Sequence, residues 1–249
     1  MIPKTNTKQR SPVPRLIGTR HETSLHRQLK FSYVGCGRTE AEVAGFVADG
    51  ISPEGEFIEV QTSNFGPFKR KAQELARLGR VRVIYPIIIA KYLEFFDSDG
   101  KHQYRRKSNR RGTPWDLFNV LIYAPDLPLI RGLTIELALV DASEQRIRDG
   151  KGSWRRQGLS IKDRALIAWH ERIRLEKPAD YLRFVPFERK ERFTSAMLGE
   201  RAGIRTNLAR KTLYVLTRLG IVQKTGKERN ALVYRVVSHK RVFPKLTMI

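Results

Sequence analysis

The sequence predicts a mixed-sheet α/β domain followed by a smaller α+β unit, and three observations carry that prediction. A helix-like segment lies between two strand-like runs within residues 21–100, the order expected of a sheet with parallel neighbours. Residues 191–249 read as helix, tight turn, helix and two short strands. The chain has 249 residues, 41% of them hydrophobic, which is enough for one large core or two small ones.

The elements follow in order. Residues 1–20 are polar and basic, carry Pro3, Pro12 and Pro14, and read as a flexible arm. A helix is expected from Thr23 or Ser24, either of which suits an N-cap, with Leu25 and Leu29 on its apolar side and Gly35-Cys36-Gly37 at its end. Glu42–Ile51 reads as one strand, Ser52-Pro53-Glu54-Gly55 as a turn, and Glu56–Thr62 as the return strand. Pro67 opens a helix over Phe68–Leu78, Gly79 ends it, and Val81–Ile89 is a buried strand.

Residues 101–114 carry Lys101, Arg105, Arg106, Lys107, Arg110 and Arg111 and no acid, so they are expected to be a basic loop or linker and the domain boundary. In 115–190, Trp115–Tyr123 reads as helix and Leu133–Asp141 as strand. Gly150–Arg156 reads as a basic loop containing Arg155 and Arg156. Ser160 is expected to cap a helix running to Arg174, with Leu166, Trp169 and Ile173 on one face. In 191–249, Thr194 or Ser195 starts a helix to Ala202 and Thr206 starts another to Leu219. Two strands then flank Thr225–Asn230.

Charge limits the partners. Lys plus Arg number 48 against 25 acids, a net charge of +23. Such a surplus points to an anionic partner, and nucleic acid, with its repeating phosphates, is the first expectation ahead of a solubilising charge or an anionic membrane surface. No apolar run suits a signal peptide, and Val81–Ala90, broken by Arg82 and Pro86, is too short to span a bilayer. A cytoplasmic protein without a membrane partner is expected; the oligomeric state stays open, a homodimer included. The single cysteine, Cys36, excludes an intramolecular disulfide and a cysteine zinc cluster. The histidines lack zinc spacing, and His21 and His26, beside the start of the first helix, read as surface residues. Neither a P-loop nor a dinucleotide fingerprint is present.

The hairpin carries the sharpest chemistry. A turn centred between Pro53 and Glu54 sets Asp49 roughly opposite Glu59, and Gln61, two residues on, shares the face of Glu59. Two carboxylates and an amide at a strand end are the oxygen donors that a hard cation such as Mg²⁺ takes. The bland alternatives are an Asp-Gly turn at Asp49-Gly50 and a solvent-facing strand at Glu59, although Phe57 on the same face argues against the latter.

The segment Thr23–Ile89 resembles the PD-(D/E)xK nuclease superfamily in its helix, its hairpin carrying Asp49 and Glu59-Val60-Gln61, its second helix and its strand. Glu59-Val60-Gln61-Thr62, with Asn64-Phe65, Lys71 and Val83–Ile87, is also similar to a family of uncharacterised bacterial proteins. The resemblance implies a restriction-endonuclease-like fold and a Mg²⁺- or Mn²⁺-dependent deoxyribonuclease. Asp49, Glu59 and the Val60 carbonyl would bind the metal, Gln61 would position water, and Lys71 would stabilise the transition state. Gln61 stands where the superfamily usually has lysine, and Lys71 on the following helix is the expected replacement. Glu22 and Glu40 are further carboxylates, either one or the other of which would complete the metal shell.

Residues 191–249 resemble the winged helix-turn-helix superfamily, and 115–190 are compatible with a first winged-helix unit. That resemblance implies DNA contacts from Arg205, Asn207, Arg210, Lys211 and Arg218 on or beside the second helix. The wing would add Lys224, Lys227 and Arg229, with Arg105, Arg106, Lys107, Arg110, Arg111, Arg155 and Arg156 as further basic contacts. Two rivals stand beside the nuclease reading. One is a non-catalytic winged-helix DNA-binding protein, such as a regulator or a replication or partition factor, with a degenerate nuclease fold. The other is an RNA-binding or processing protein.

Overall fold

A computed structural model describes residues 22–63, 65–154 and 157–237. Helix α1 (Ser24–Val34) opens it, with the Thr23 hydroxyl accepting from the His26 N–H at 3.3 Å. Strands β1 (Arg38–Val43), β2 (Phe46–Ile51) and β3 (Phe57–Val60) run antiparallel in turn, followed by helix α2 (Lys69–Leu78). The remaining strands of the main sheet are β4 (Val81–Phe96), β5 (His102–Lys107), β6 (Leu133–Arg148) and β7 (Leu159–Leu175). This seven-stranded sheet has the order β1-β2-β3-β4-β6-β7, with β5 also paired to β4. β4 runs parallel to both β3 and β6. The fold is therefore α/β with a mixed sheet.

Three sequence expectations are corrected here. Glu42–Ile51 is two strands, because Ala44 and Gly45 both take positive φ (50° and 76°), the backbone of a two-residue hairpin turn that the Ala-Gly pair does not advertise. Residues 102–107 are not loop but strand β5, continuing the sheet antiparallel to β4, so the expected boundary at 101–114 falls inside the sheet. Residues 160–174 are not a helix but the body of β7, antiparallel to β6 along its length. The spacing of Leu166, Trp169 and Ile173 imitates a helical stripe. A register shift beside Asp141 and Ala142, where β7 bulges, accounts for the irregular interval between Leu166 and Trp169.

The sheet is covered on both faces. On one, α1 sets Leu25, Leu29 and Val34 against Ile58, Val60, Ile84, Ala138 and Val140. Gly50 is required there: a Cβ on it would lie 2.3 Å from Val34 Cγ2. Asp49-Gly50 thus sits within a strand packed under a helix and is not a turn. On the other face, Phe65, Phe68, Ala72 and Leu75 pack on Val81 and Val83.

That second core continues into the C-terminal unit. Helix α3 (Leu117–Leu121) meets helix α5 (Thr206–Arg218), which follows strand β8 (Phe193–Thr194) and helix α4 (Ser195–Arg201) and precedes strands β9 (Val222–Glu228) and β10 (Ala231–Val236). Strands β8, β10 and β9 form a small sheet in that order. Leu213 and Leu216 join the same buried cluster as Leu117 and Phe118, so the C-terminal unit is packed onto the main body. No helix among the described residues is long and apolar enough to cross a membrane.

Candidate active site

The β2–β3 ladder holds Ile51 to Phe57 and Gly50 to Ile58, then stops. At the next position, Asp49 and Glu59, side chains replace the ladder. The Val60 N–H donates to Asp49 Oδ2 at 2.7 Å, and the Asp49 N–H donates to Glu59 Oε1 at 3.3 Å. This reciprocal exchange holds the two strands apart and brings both carboxyl groups to the opening. Glu59 is 1% exposed.

Opposite faces of the sheet each send a cation into the opening. From α2, Lys71 Nζ lies 2.5 Å from Glu59 Oε1 and donates to the Val47 carbonyl at 2.6 Å. From α1, His26 Nε2 lies 3.0 Å from the Val60 carbonyl oxygen and 3.4 Å from Asp49 Oδ2, while its Nδ1 lies 2.7 Å from Glu22 Oε1. Lys30 lies 3.0 Å from Glu22 and 3.4 Å from Glu40.

The electrostatics follow from this crowding. Burial, then the Asp49 charge, push the Glu59 carboxyl up to about 7, against the pull of Lys71. Burial also works against the Asp49 charge, but His26, the Val60 N–H and Lys71 hold its carboxyl below the usual range. Burial opposes the His26 charge as well, yet Asp49 and Glu22 outweigh it and raise the imidazole to about 9.

The sequence-predicted site residues Asp49, Glu59, Val60 and Lys71 thus come together. The main-chain N–H of Gln61 donates to the Ile84 carbonyl at 2.9 Å, which prolongs the ladder with β4 beyond β3 and leaves Gln61 half-buried two residues past Glu59. Of the two further carboxylates, Glu22 reaches the cluster through His26, whereas Glu40, 59% exposed, pairs with Lys30. His26 is corrected from a surface residue to a member of the site. Its signal was the spacing of four in Glu22–His26–Lys30, which sets His26 and Lys30 on one side of α1 with Glu22 just ahead of its N-cap.

The predicted basic contacts divide. Arg105, Arg106, Lys107, Arg110, Arg111, Arg205, Asn207, Arg210, Lys224, Lys227 and Arg229 are all exposed. Lys211 is corrected: it is half-buried, and its Nζ donates to Asn119 Oδ1 of α3 at 2.8 Å, because α5 docks on that helix. Arg218 is exposed but committed to Asp126, with bonds of 3.1 Å from Nε and Nη2. Arg155 and Arg156 lie outside the described residues, as does His21.

Comparison with known proteins adds a family without an assigned activity. A sequence profile described as "Domain of unknown function (DUF8091)" matches residues 23–176, a span that begins at the N-cap of α1 and ends just after β7. An uncharacterised protein of Treponema pallidum (strain Nichols) is 31% identical over 152 residues, which cover 61% of this chain and 61% of the relative. No solved structure matches.

Proposed function

The chain belongs to the DUF8091 family, and we propose that it is a metal-dependent phosphodiesterase acting on DNA, built on the PD-(D/E)xK plan and assisted by a C-terminal winged helix. The observation that carries this reading is the convergence of Asp49, Glu59 and the Val60 carbonyl where β2 and β3 part, with Lys71 2.5 Å from Glu59. The order helix, three antiparallel strands, helix, parallel strand supports it further.

The donor set fits a hard cation in one respect. Asp49 Oδ2 and the Val60 oxygen both face a single position, since the same nitrogen of His26 contacts each. The described residues contain no group of three or more His, Cys, Asp or Glu side chains arranged for a metal. The set therefore consists of two carboxylates and a main-chain oxygen. Asp49, Glu59 and Val60 would hold Mg²⁺ or Mn²⁺, which when bound lowers the pKa of a water and polarises a phosphate oxygen.

The protein's own groups supply the rest. Lys71 carries positive charge to the mouth of the site, where it offsets charge that builds on a phosphate, and it favours the ionised form of Glu59. Gln61, a neutral amide, orients water by hydrogen bonding. The half-buried pairing of Asp49 with His26 keeps Asp49 ionised. For the winged helix, Arg205, Asn207 and Arg210 on or beside α5 and Lys224, Lys227 and Arg229 on the β9–β10 hairpin are all exposed and suited to phosphates.

A second reading, a non-catalytic DNA-binding protein, draws on the ion pairs Lys71–Glu59 and His26–Asp49, which balance both carboxylates without a metal. One assay separates the two. Purified protein is incubated with plasmid, single-stranded, branched and RNA substrates in Mg²⁺ or Mn²⁺. Metal-dependent cleavage that Glu59→Ala abolishes supports the enzyme; binding without cleavage in either metal leaves the second reading standing.

A further inference from the structure

We propose that the far half of the β4–β5–β6–β7 ribbon is a platform for single-stranded nucleic acid, on which Tyr104 stacks against a base of the strand that enters the candidate active site. The inference rests on the phosphodiesterase reading for its link to the site, but the platform itself is argued from different residues.

The ribbon is long. From Ile84, beside Val60, β4 runs on to Phe96, which at about 3.3 Å per residue is about 40 Å of strand, and β6 follows it in parallel to Ile147. Its register places one set of side chains on a common face. Leu93 pairs with Arg106 and Glu144, and Phe95 pairs with Tyr104 and Arg146. Two residues earlier on β6 and paired with Lys91, Ala142 belongs to the core under α1, so this is the face that α1 covers nearer the site.

Two observations on that face point to a polynucleotide. The first is an aromatic pair: Tyr104 stacks on Phe95 at 4.4 Å between centroids with 16° between planes. Phe95 is 6% exposed while Tyr104 is 52% exposed, so Phe95 supports a ring that remains half open to solvent. A ring held in this way presents a π surface to a flat base at little entropic cost. The second is charge. Arg106 and Arg146 lie over Phe95 at 5.6 and 5.9 Å, and Lys91, Arg146 and Arg164 surround the single carboxylate of Glu144, leaving a surplus of positive charge beside the stack. Aromatic rings between cations suit the alternation of base and phosphate, whereas duplex DNA offers phosphates but keeps its bases stacked on each other.

The track also connects to the site. The first turn of α1 grips both: the Ser24 N–H donates to Asp163 Oδ1 of β7 at 2.8 Å, and His26, two residues on, contacts Val60 and Asp49. Arg164 follows Asp163 directly. A strand lying along Lys91, Arg164, Arg146 and Tyr104 therefore ends beside the first turn of α1.

The test measures binding of the full chain, in EDTA, to fluorescein-labelled dT20, its RNA counterpart U20 and a blunt 20-base-pair duplex. dT20 or U20 is expected to bind more tightly than the duplex, and whichever of the two binds tighter identifies the strand's chemistry. Tyr104→Ala is expected to weaken that single strand by about fivefold or more and to change duplex affinity by less than twofold, while Tyr104→Phe, which keeps the ring, retains wild-type binding. An unchanged single-strand affinity in Tyr104→Ala, or an equal loss for strand and duplex, overturns the platform. Cleavage in Mg²⁺ is followed in parallel. Loss of the cleavage proposal with Tyr104-dependent binding intact would leave the platform standing, and the converse result would remove the platform alone.

Discussion

His26 Nε2 and the Val60 carbonyl oxygen stand 3.0 Å apart, a contact between the first turn of a helix and the end of a strand that lie 34 residues apart in the chain. The same nitrogen meets Asp49, while Glu22 holds the other side of the ring. An imidazole with acceptors at both nitrogens is best satisfied when both carry protons. His26 is therefore the cation that balances Asp49, and α1 is pinned to the strand opening by that charge.

A pH dependence of stability follows. The folded-state value of His26 is raised from the usual 6.5 to about 9, so its stabilisation is complete below about pH 6.5 and is lost as pH rises through about 9. Melting temperatures of wild type and His26→Ala in EDTA are expected to differ most near pH 6 and to converge by about pH 9.5. A gap that stays constant across that range would show the imidazole to be uncharged.

On the proposed reading, Lys71 takes the place of the lysine that the superfamily resemblance expects at the position of Gln61. Lys71→Ala is expected to lower cleavage by about 10²–10³-fold, the cost of losing one charge-stabilising donor. If the requirement is for a lysine near the scissile phosphate and not for this particular helix, adding Gln61→Lys to Lys71→Ala should restore at least tenfold of the lost rate. Single-turnover cleavage with saturating protein measures this; a double variant no faster than Lys71→Ala counts against the exchange.

How much of this was legible in the sequence depended on whether the contacts were local. Asp49, Glu59 and Gln61 are readable because a tight turn and a period of two fix their mutual placement, and Lys71 because helical angle sets it on the rim of α2. His26 needed a contact across 34 residues, although its spacing from Glu22 and Lys30 was visible. β7 was misread because its apolar residues coincide with a helical interval and because its partner, β6, is what makes it a strand. β5 was hidden by composition. A run of cations with no acid looks solvated, and every residue of it is indeed exposed, but its backbone pairs with β4.

Glu144 tests the packing of the ribbon. It is 1% exposed and lies 2.7–3.2 Å from Arg146, Arg164 and Lys91. Burial works against its charge, but these cations hold the carboxyl down at about 2. A depressed folded-state value contributes stability above the usual 4.5, and that contribution is lost as pH falls through about 2. Glu144→Gln is expected to cost on the order of 1–3 kcal/mol at neutral pH, allowing for solvent screening of the half-exposed partners. The difference from wild type should shrink steadily below about pH 4.5 in urea denaturation. An equal cost at pH 3 and pH 7 would assign the loss to packing alone.

The C-terminal unit separates two kinds of basic residue that the sequence could not tell apart. Lys227 and Arg229 are exposed on the β9–β10 hairpin, whereas Lys211 is turned inward to Asn119. On a duplex, each phosphate contact contributes about 0.9 to the slope of log affinity against log salt. Replacing both hairpin residues with alanine is therefore expected, on the DNA-binding reading, to reduce that slope by about 2 and leave the melting temperature unchanged. Lys211→Ala is expected to do the reverse: it keeps the salt slope but loses on the order of 1 kcal/mol of stability with the hydrogen bond to α3. Salt titrations by fluorescence anisotropy, paired with thermal melts, measure both quantities on the same samples. A reduced slope in Lys211→Ala with no change in melting would mean that α5 leaves α3 when DNA binds, freeing a cation that the unbound protein keeps engaged.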